Sequence, residues 1–386
     1  MPPFKLTDLQ PFTQLRHDLH RQPELSGKES ETAERIAAFL QPYRPDQLIQ
    51  GLGGTGVAAI FQGVVPEGPV VLFRAELDAL PIAESSGALY KSERNGIGHL
   101  CGHDGHMAIL AALGSMLHQQ KMKRGKVVLL FQPAEETGAG AWDVLQDERF
   151  GRHIKPDYVF ALHNLPGMPL HQVVMRQEVF AAASTGMVIE LFGKSSHAAE
   201  PEKGLNPGQA MAELILSFNR IISKKEQFED LTLLTVIHAR LGEVAFGTNP
   251  GYATVMATLR SYSPEDLQKL KHLAQQAAAE VAAKHQVRHE LRFVEEFPAT
   301  VNLAEAVELV RRAAGKLSLE VQEAEQPFRW SEDFGHFTHL YKGALFGLGS
   351  GESQPQLHHA DFDFPDELIP TGAALFYQIA SDILNE

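Results

Sequence analysis

The residues best suited to chemistry lie in Gly98-His99-Leu100-Cys101-Gly102-His103-Asp104-Gly105-His106. This stretch holds the single cysteine of the chain, two residues before a histidine and at the expected start of a helix. A thiolate and an imidazole at that spacing suit a transition metal better than a packed core. A lone cysteine by itself reads as a small buried hydrophobe. Three other segments shift the balance: Gln132-Pro133-Ala134-Glu135-Glu136, Leu162-His163-Asn164 and Leu357-His358-His359. They add imidazoles and a carboxylate pair. Adjacent carboxylates resist being forced together without a cation, and one bound to metal with one free to take a proton resolves the conflict.

Something must bring these segments together. Short, nearly continuous apolar runs occur at 57–61, 70–73, 127–131, 158–162 and 344–348, each bounded by turn residues. Such runs read as strands buried on both faces. Helical patterns fall among them, at 8–21 (stopped by Pro23), from 28 onward, at 107–119 and at 303–317. The alternation predicts an α/β domain with a largely parallel central sheet. In such sheets, sites form beyond the carboxyl ends of strands. Asp78, Glu135, Glu136, His163 and His358 all follow predicted strands, and Cys101 and His103 precede a helix whose dipole would favour the thiolate.

The rhythm changes between about residues 183 and 296. Strands are predicted at 187–192, 231–241, 253–260 and 287–294, with helices at 207–222 and 264–285. The order β-α-β-β-α-β is the ferredoxin-like arrangement. The chain therefore reads as a catalytic domain at 1–183 and 297–386, interrupted by an inserted ferredoxin-like domain at 184–296. An insert of this kind offers an edge strand for self-association, or acts as a mobile lid.

Bulk properties narrow the function. A chain of 386 residues calls for two domains, and 44% hydrophobic with 21% charged residues is ordinary for a soluble protein. A net charge of −14 with no basic run argues against nucleic acid. One cysteine excludes an intrachain disulfide and fits a reducing cytosol. The N-terminus lacks an apolar signal core, and no run reaches the roughly 18 apolar residues of a membrane span. A cytoplasmic enzyme acting on a small molecule is the expectation.

The motifs, in order, resemble the amidohydrolase branch of the dinuclear metallo-aminoacylase and carboxypeptidase family, with its hippurate hydrolases, N-acetyl-diaminopimelate deacetylases and auxin-conjugate hydrolases. The resemblance is carried by the run from Arg16 to Leu25, Arg74-Ala75-Glu76-Leu77-Asp78-Ala79-Leu80-Pro81-Ile82, Cys101-Gly102-His103-Asp104, the Glu135-Glu136 segment and Gly193-Lys194-Ser195-Ser196-His197-Ala198-Ala199. Ser331-Glu332-Asp333-Phe334 and Leu357-His358 with Phe362 complete it.

The resemblance implies a zinc-exopeptidase-like catalytic domain and two divalent ions, Zn, Mn, Co or Ni, bridged by Cys101. His103 and His163 complete one ion and Glu136 and His358 the other. Glu135 is the general base, Asp78 orients a ligand, and His197 stabilises the oxyanion, within its own subunit or across a homodimer. Asn249 and Arg260 are expected to meet substrate. The implied reaction is hydrolysis of N-acyl amino acids, with dipeptide cleavage on the same centre as the alternative and a non-catalytic binding relative behind both. Departures from the family pattern fall elsewhere, at Glu76 for the usual Asp, at Gly247-Thr248-Asn249 for the usual Asn loop, and at Glu202, Asn206 and Ala360. His17, His20, His99, His106, His336 and His339 read as structural, and His358 is favoured over His359.

Overall fold

The computed structural model describes residues 8–385. Two compact units emerge. The first comprises the chain up to Phe180, Thr300–Pro327 and the chain from Glu332 onward; the second comprises Ala181–Ala299 and Phe328–Ser331. The crossings lie three residues outside the expected 183/184 and 296/297 boundaries, and the short 328–331 excursion was not anticipated.

An eight-stranded sheet forms the first unit, in the order Gln47–Leu52, Gly56–Gln62, Arg124–Gln132, Val65–Glu76, Tyr158–Pro166, Lys342–Gly351, Val173–Met175, Val321–Glu323. The four strands from Arg124–Gln132 to Lys342–Gly351 are mutually parallel, and the flanking ones introduce antiparallel pairs. The four parallel strands all carry continuous apolar runs, because helices cover both of their faces; the run at 57–61 belongs instead to Gly56–Gln62, an interior strand antiparallel to its neighbours. Phe73, Phe131, Phe160 and Phe346 are fully buried in this layer. The edge strands Gln47–Leu52 and Val321–Glu323, and the three-residue strand Val173–Met175 beside the latter, had no such run and escaped the sequence reading.

The helix His103–Gln119 is buried on every side from its start to Leu117; its middle, 107–114, has no polar side chain, and its first turn buries His103, Asp104 and His106. It begins four residues before the expected 107, so His103 is its first residue rather than part of the preceding turn. It packs on the C-terminal helix Leu368–Leu384. Gly372 allows the close approach, since a Cβ there would meet Ile109 at 2.7 Å; one at Gly105 would meet the ring of Phe364, on the segment before that helix, at 2.3 Å.

The second unit has the order Ala183–Phe192, Gly208–Ser223, Thr232–Leu241, Tyr252–Ser261, Pro264–Lys284, Arg288–Phe297. Its four strands pair antiparallel in the sequence Thr232–Leu241, Tyr252–Ser261, Ala183–Phe192, Arg288–Phe297, which is the ferredoxin-like topology. Ser263 caps the long helix by accepting the Asp266 N–H at 3.1 Å, with Pro264 at the first position. A two-residue ladder pairs Ser196–His197 with Thr248–Asn249. No helix among the described residues is long and apolar enough to cross a membrane.

Candidate metal centre

The carboxyl ends of the parallel strands deliver most of the candidate side chains of the first unit. The Val65–Glu76 strand ends two residues before Asp78, and Arg124–Gln132 ends three before Glu135. His163 was expected just beyond its strand but lies inside Tyr158–Pro166, paired with Gly347, because the strand continues to Pro166. His358 sits on the loop after Lys342–Gly351. Its backbone is left-handed, with φ 65°, and its N–H donates to the Leu100 carbonyl at 2.8 Å. Ala134, immediately before Glu135, is also left-handed at φ 51°, and its N–H is held by the buried Glu29 carboxylate at 2.9 Å. Non-glycine residues in this region are costly and persist where the surroundings fix them.

Donor atoms of Cys101, His103 and His163 lie within 4.8 Å of one another, and so do those of Cys101, Glu136 and His358. Cys101 is common to both groups. Cys101 Sγ is 3.5 Å from His163 Nε2, and Glu136 Oε1 is 3.8 Å from His358 Nε2 and 3.9 Å from His103 Nε2. Two donors each about 2.1 Å from one tetrahedral ion lie roughly 3.4 Å apart, so the spacing fits shared cations. His359 belongs to neither group.

The hydrogen bonds behind these donors point them inward. His103 Nδ1 donates to the Asp78 carbonyl at 2.9 Å, which leaves Nε2 as the inward nitrogen, the one that would give up its proton to take a cation. That Nε2 and Glu136 Oε1 are buried without a hydrogen-bond partner among the described residues. His163 Nδ1 likewise donates to the Asn164 carbonyl at 2.9 Å. The Asp78 carboxylate accepts from Ser26 Oγ at 2.7 Å and from the Glu136 N–H at 2.9 Å, so it holds the segment bearing Glu136 while its backbone holds His103.

The site is crowded with acid. Burial, then the Glu332 and Glu136 carboxylates, push Glu135 well above the usual range. Burial lifts Glu136 to about 7 against the pull of His103. Burial and Glu136 push the Cys101 thiol well up, so desolvation outweighs any help from the helix dipole. His163 is kept neutral, its pKa lowered to about 3 by burial and by His106. Divalent cations would take the place of the protons that these acids otherwise retain.

The remaining candidates belong to the second unit. His197 is exposed, and its Nδ1 accepts the Ala199 N–H at 3.1 Å, so the neutral ring presents Nε2–H as a donor. Both ends of the Asn249 amide are engaged: Oδ1 accepts from Asn206 at 2.8 Å and Nδ2 donates to Ser196 Oγ at 3.0 Å. Arg260 Nη1 donates to the Arg329 carbonyl and to Ser331 Oγ, each at 2.7 Å. Sequence reasoning also missed a layer behind the metal donors. Arg74, Glu76, His106, Asn164, Glu332 and Asp333 are buried and interlinked. The signal was an arginine and a glutamate inside an otherwise apolar strand, since buried charges are retained only with partners.

The chain is similar to known proteins in sequence and fold. The model of peptidase family M20/M25/M40 matches residues 72–382. An N-acetyl-L-cysteine deacetylase of Bacillus subtilis is 31% identical over 376 residues, covering 96% of this chain and 88% of the relative. A hippurate hydrolase of Campylobacter jejuni is 29% identical over 384 residues, covering 99% of each. A dinuclear metal-binding peptidase of the M20 family from Bacillus subtilis superimposes with a TM-score of 0.80 at 25% identity, covering 97% of this chain and 98% of that one. An aminohydrolase structure from methicillin-resistant Staphylococcus aureus shares the fold, with a TM-score of 0.85 at 23% identity over 97% of each chain. With the strand-end donors in place and the match spanning most of its length, the chain belongs to peptidase family M20/M25/M40 and is an amidohydrolase.

Proposed function

We propose that the protein hydrolyses the amide bond of N-acyl amino acids, acetyl, benzoyl or similar, at a pair of divalent ions with Glu135 as general base. The observation that carries this reading is the membership of Cys101 in two three-donor groups, with Glu135 grouped with His103 of one and Glu136 of the other. In this reading Cys101 is shared, His103 and His163 hold one ion, and Glu136 and His358 the other. When bound, such ions acidify a coordinated water towards a pKa of about 7 and polarise an amide carbonyl.

Glu135 takes the water's proton and returns it to the leaving amine. Its surroundings of buried acids keep its proton affinity high, which suits a group that must hold a proton between the two steps. Asp78 fixes the His103 tautomer, and His197, whose Nε2–H is the ring's donor, is assigned to the oxyanion of its own subunit or of a partner's. Asn249 and Arg260 are the residues assigned to substrate; Asn249 also fixes the strand that carries His197, and Arg260 also braces the 328–331 segment. Names among the relatives, a hippurate hydrolase and an N-acetyl-L-cysteine deacetylase, support acylated amino acids as the substrate class. The relative described as dinuclear supports two ions.

The test is amine release from N-acetyl, N-benzoyl and N-succinyl amino acids and from simple dipeptides, with Mn²⁺ or Zn²⁺ and with a chelator. Chelator-sensitive release from the acylated compounds alone is expected. Release from free dipeptides alone assigns a dipeptidase. No release by protein shown to hold two ions per chain overturns the hydrolytic reading.

A further inference from the structure

The Arg74 side chain is fully buried in the strand Val65–Glu76, and every one of its nitrogens is engaged. Nε donates to Gln132 Oε1 at 2.9 Å. Nη1 pairs with Glu76 and donates to Glu332 Oε1 at 3.1 Å, and Nη2 donates to Asp333 Oδ1 at 2.6 Å. One fixed cation thus faces three buried carboxylates, each of which continues into the candidate site or its support.

Two arms leave this hub. On one, Asp333 accepts from Gln132 Nε2 at 3.0 and 2.7 Å and from the Ala141 N–H at 2.8 Å, so it ties together both ends of the segment that carries Glu135 and Glu136. The Asp333 N–H reaches Glu135 Oε1 at 3.4 Å, and Glu332 accepts the Phe334 N–H at 3.2 Å, which fixes that turn. On the other arm, Glu76 accepts from His106 Nδ1 at 2.7 Å. His106 Nε2 lies 2.7 Å from Asn164 Oδ1, and the Asn164 carbonyl holds His163 Nδ1 at 2.9 Å.

We propose that Arg74 is a positioning residue for the hydrolytic reaction: its guanidinium fixes the Glu135 segment through Asp333 and Gln132, and His163 through Glu76, His106 and Asn164. The role depends on the planar fork, because four acceptors on three sides need directional donors that an ammonium cannot supply in fixed geometry. Groups that orient metal ligands typically cost 10–100-fold in affinity or activity when removed. The inference rests on the function proposed above.

Arg74→Lys keeps the charge and discards the fork. With protein shown to be folded by its unfolding temperature, Co²⁺ is titrated and turnover of the best N-acyl amino acid is measured. The expected result is a Co²⁺ dissociation constant raised about tenfold or more and kcat lowered about tenfold or more, with KM within about threefold of the parent. A folded variant with parental Co²⁺ affinity and kcat overturns the proposal. If Arg74→Lys does not fold, the arms are tested singly. Asp333→Asn is expected to lower kcat and to weaken Co²⁺ binding through the Glu136 segment, and His106→Phe to weaken Co²⁺ binding through His163. Either variant, folded and unchanged, overturns the role given to its arm. Parent protein that binds Co²⁺ but cleaves no N-acyl amino acid refutes the hydrolytic reading alone, and the Co²⁺ affinities still decide the positioning role.

Discussion

Gly102 shows how tightly the site is built. It stands between Cys101 and His103 at φ 96°, and a Cβ there would sit 2.5 Å from Asn164 Oδ1. Gly102→Ala therefore meets both a disfavoured backbone and a collision with the residue that supports His163. It is expected to destabilise the protein by about 1–3 kcal/mol in urea unfolding and to weaken metal binding; unchanged stability and metal content would contradict the assigned geometry. Glu135 separates chemistry from assembly. Glu135→Gln keeps the shape and loses the base, so turnover should fall by at least about 10²-fold while metal content is retained. A parental rate in that variant removes Glu135 from the role. At this scale the sequence showed which atoms could bind a metal, since Cys, His and Glu are few and their chemistry is local. It did not show His106 as more than a helix-start residue, because its two partners, Glu76 and Asn164, are 30 and 58 residues away.

The helices Gln10–Arg21 and His103–Gln119 meet through charge as well as packing. Arg16 and His20 of the first reach Asp104 in the first turn of the second, at 3.2 and 2.9 Å, where an acid also complements the helix dipole. Burial alone would pull the His20 pKa down, but Asp104 and Glu84 outweigh it and raise the value to about 9. The folded state therefore holds this proton more tightly than the unfolded chain, whose histidine titrates near 6.5. Its stabilisation is complete below about pH 6.5 and is lost as the pH climbs through 9. On the order of 1–3 kcal/mol should disappear between those limits. Urea unfolding of the parent and of His20→Asn across pH 6–10 checks this: the parent should lose stability with rising pH relative to the variant, and parallel curves would refute the assignment. The periodic apolar pattern revealed the helices, whereas the ionic contact between them depended on residues 84 and 88 positions apart meeting in space.

At the scale of the whole molecule, the inserted unit presents an edge. Thr232–Leu241 ends its four-stranded sheet, Ile237 on that strand is 63% exposed, and Val244 and Phe246 on the following turn are fully exposed. Unpaired strand edges with apolar side chains favour pairing with a second copy. A homodimer through this strand is expected in sedimentation at micromolar protein, with Ile237→Lys shifting it to monomer; a parent that sediments as a monomer refutes this. Seen whole, the sequence by itself determined the parallel sheet, the ferredoxin-like insert and the metal-binding residue types, because each is written in local periodicity or in rare side chains. The hydrogen-bond partners of Asn249 and Arg260 were not legible, since Asn206, Ser196, Arg329 and Ser331 come from distant segments. Nor were the edge strands Gln47–Leu52 and Val321–Glu323, whose mixed patterns carry no period. Tertiary structure alone decided how one buried arginine links the Glu135 and His163 segments, because hydrogen-bond direction and burial exist only once the chain has closed on itself.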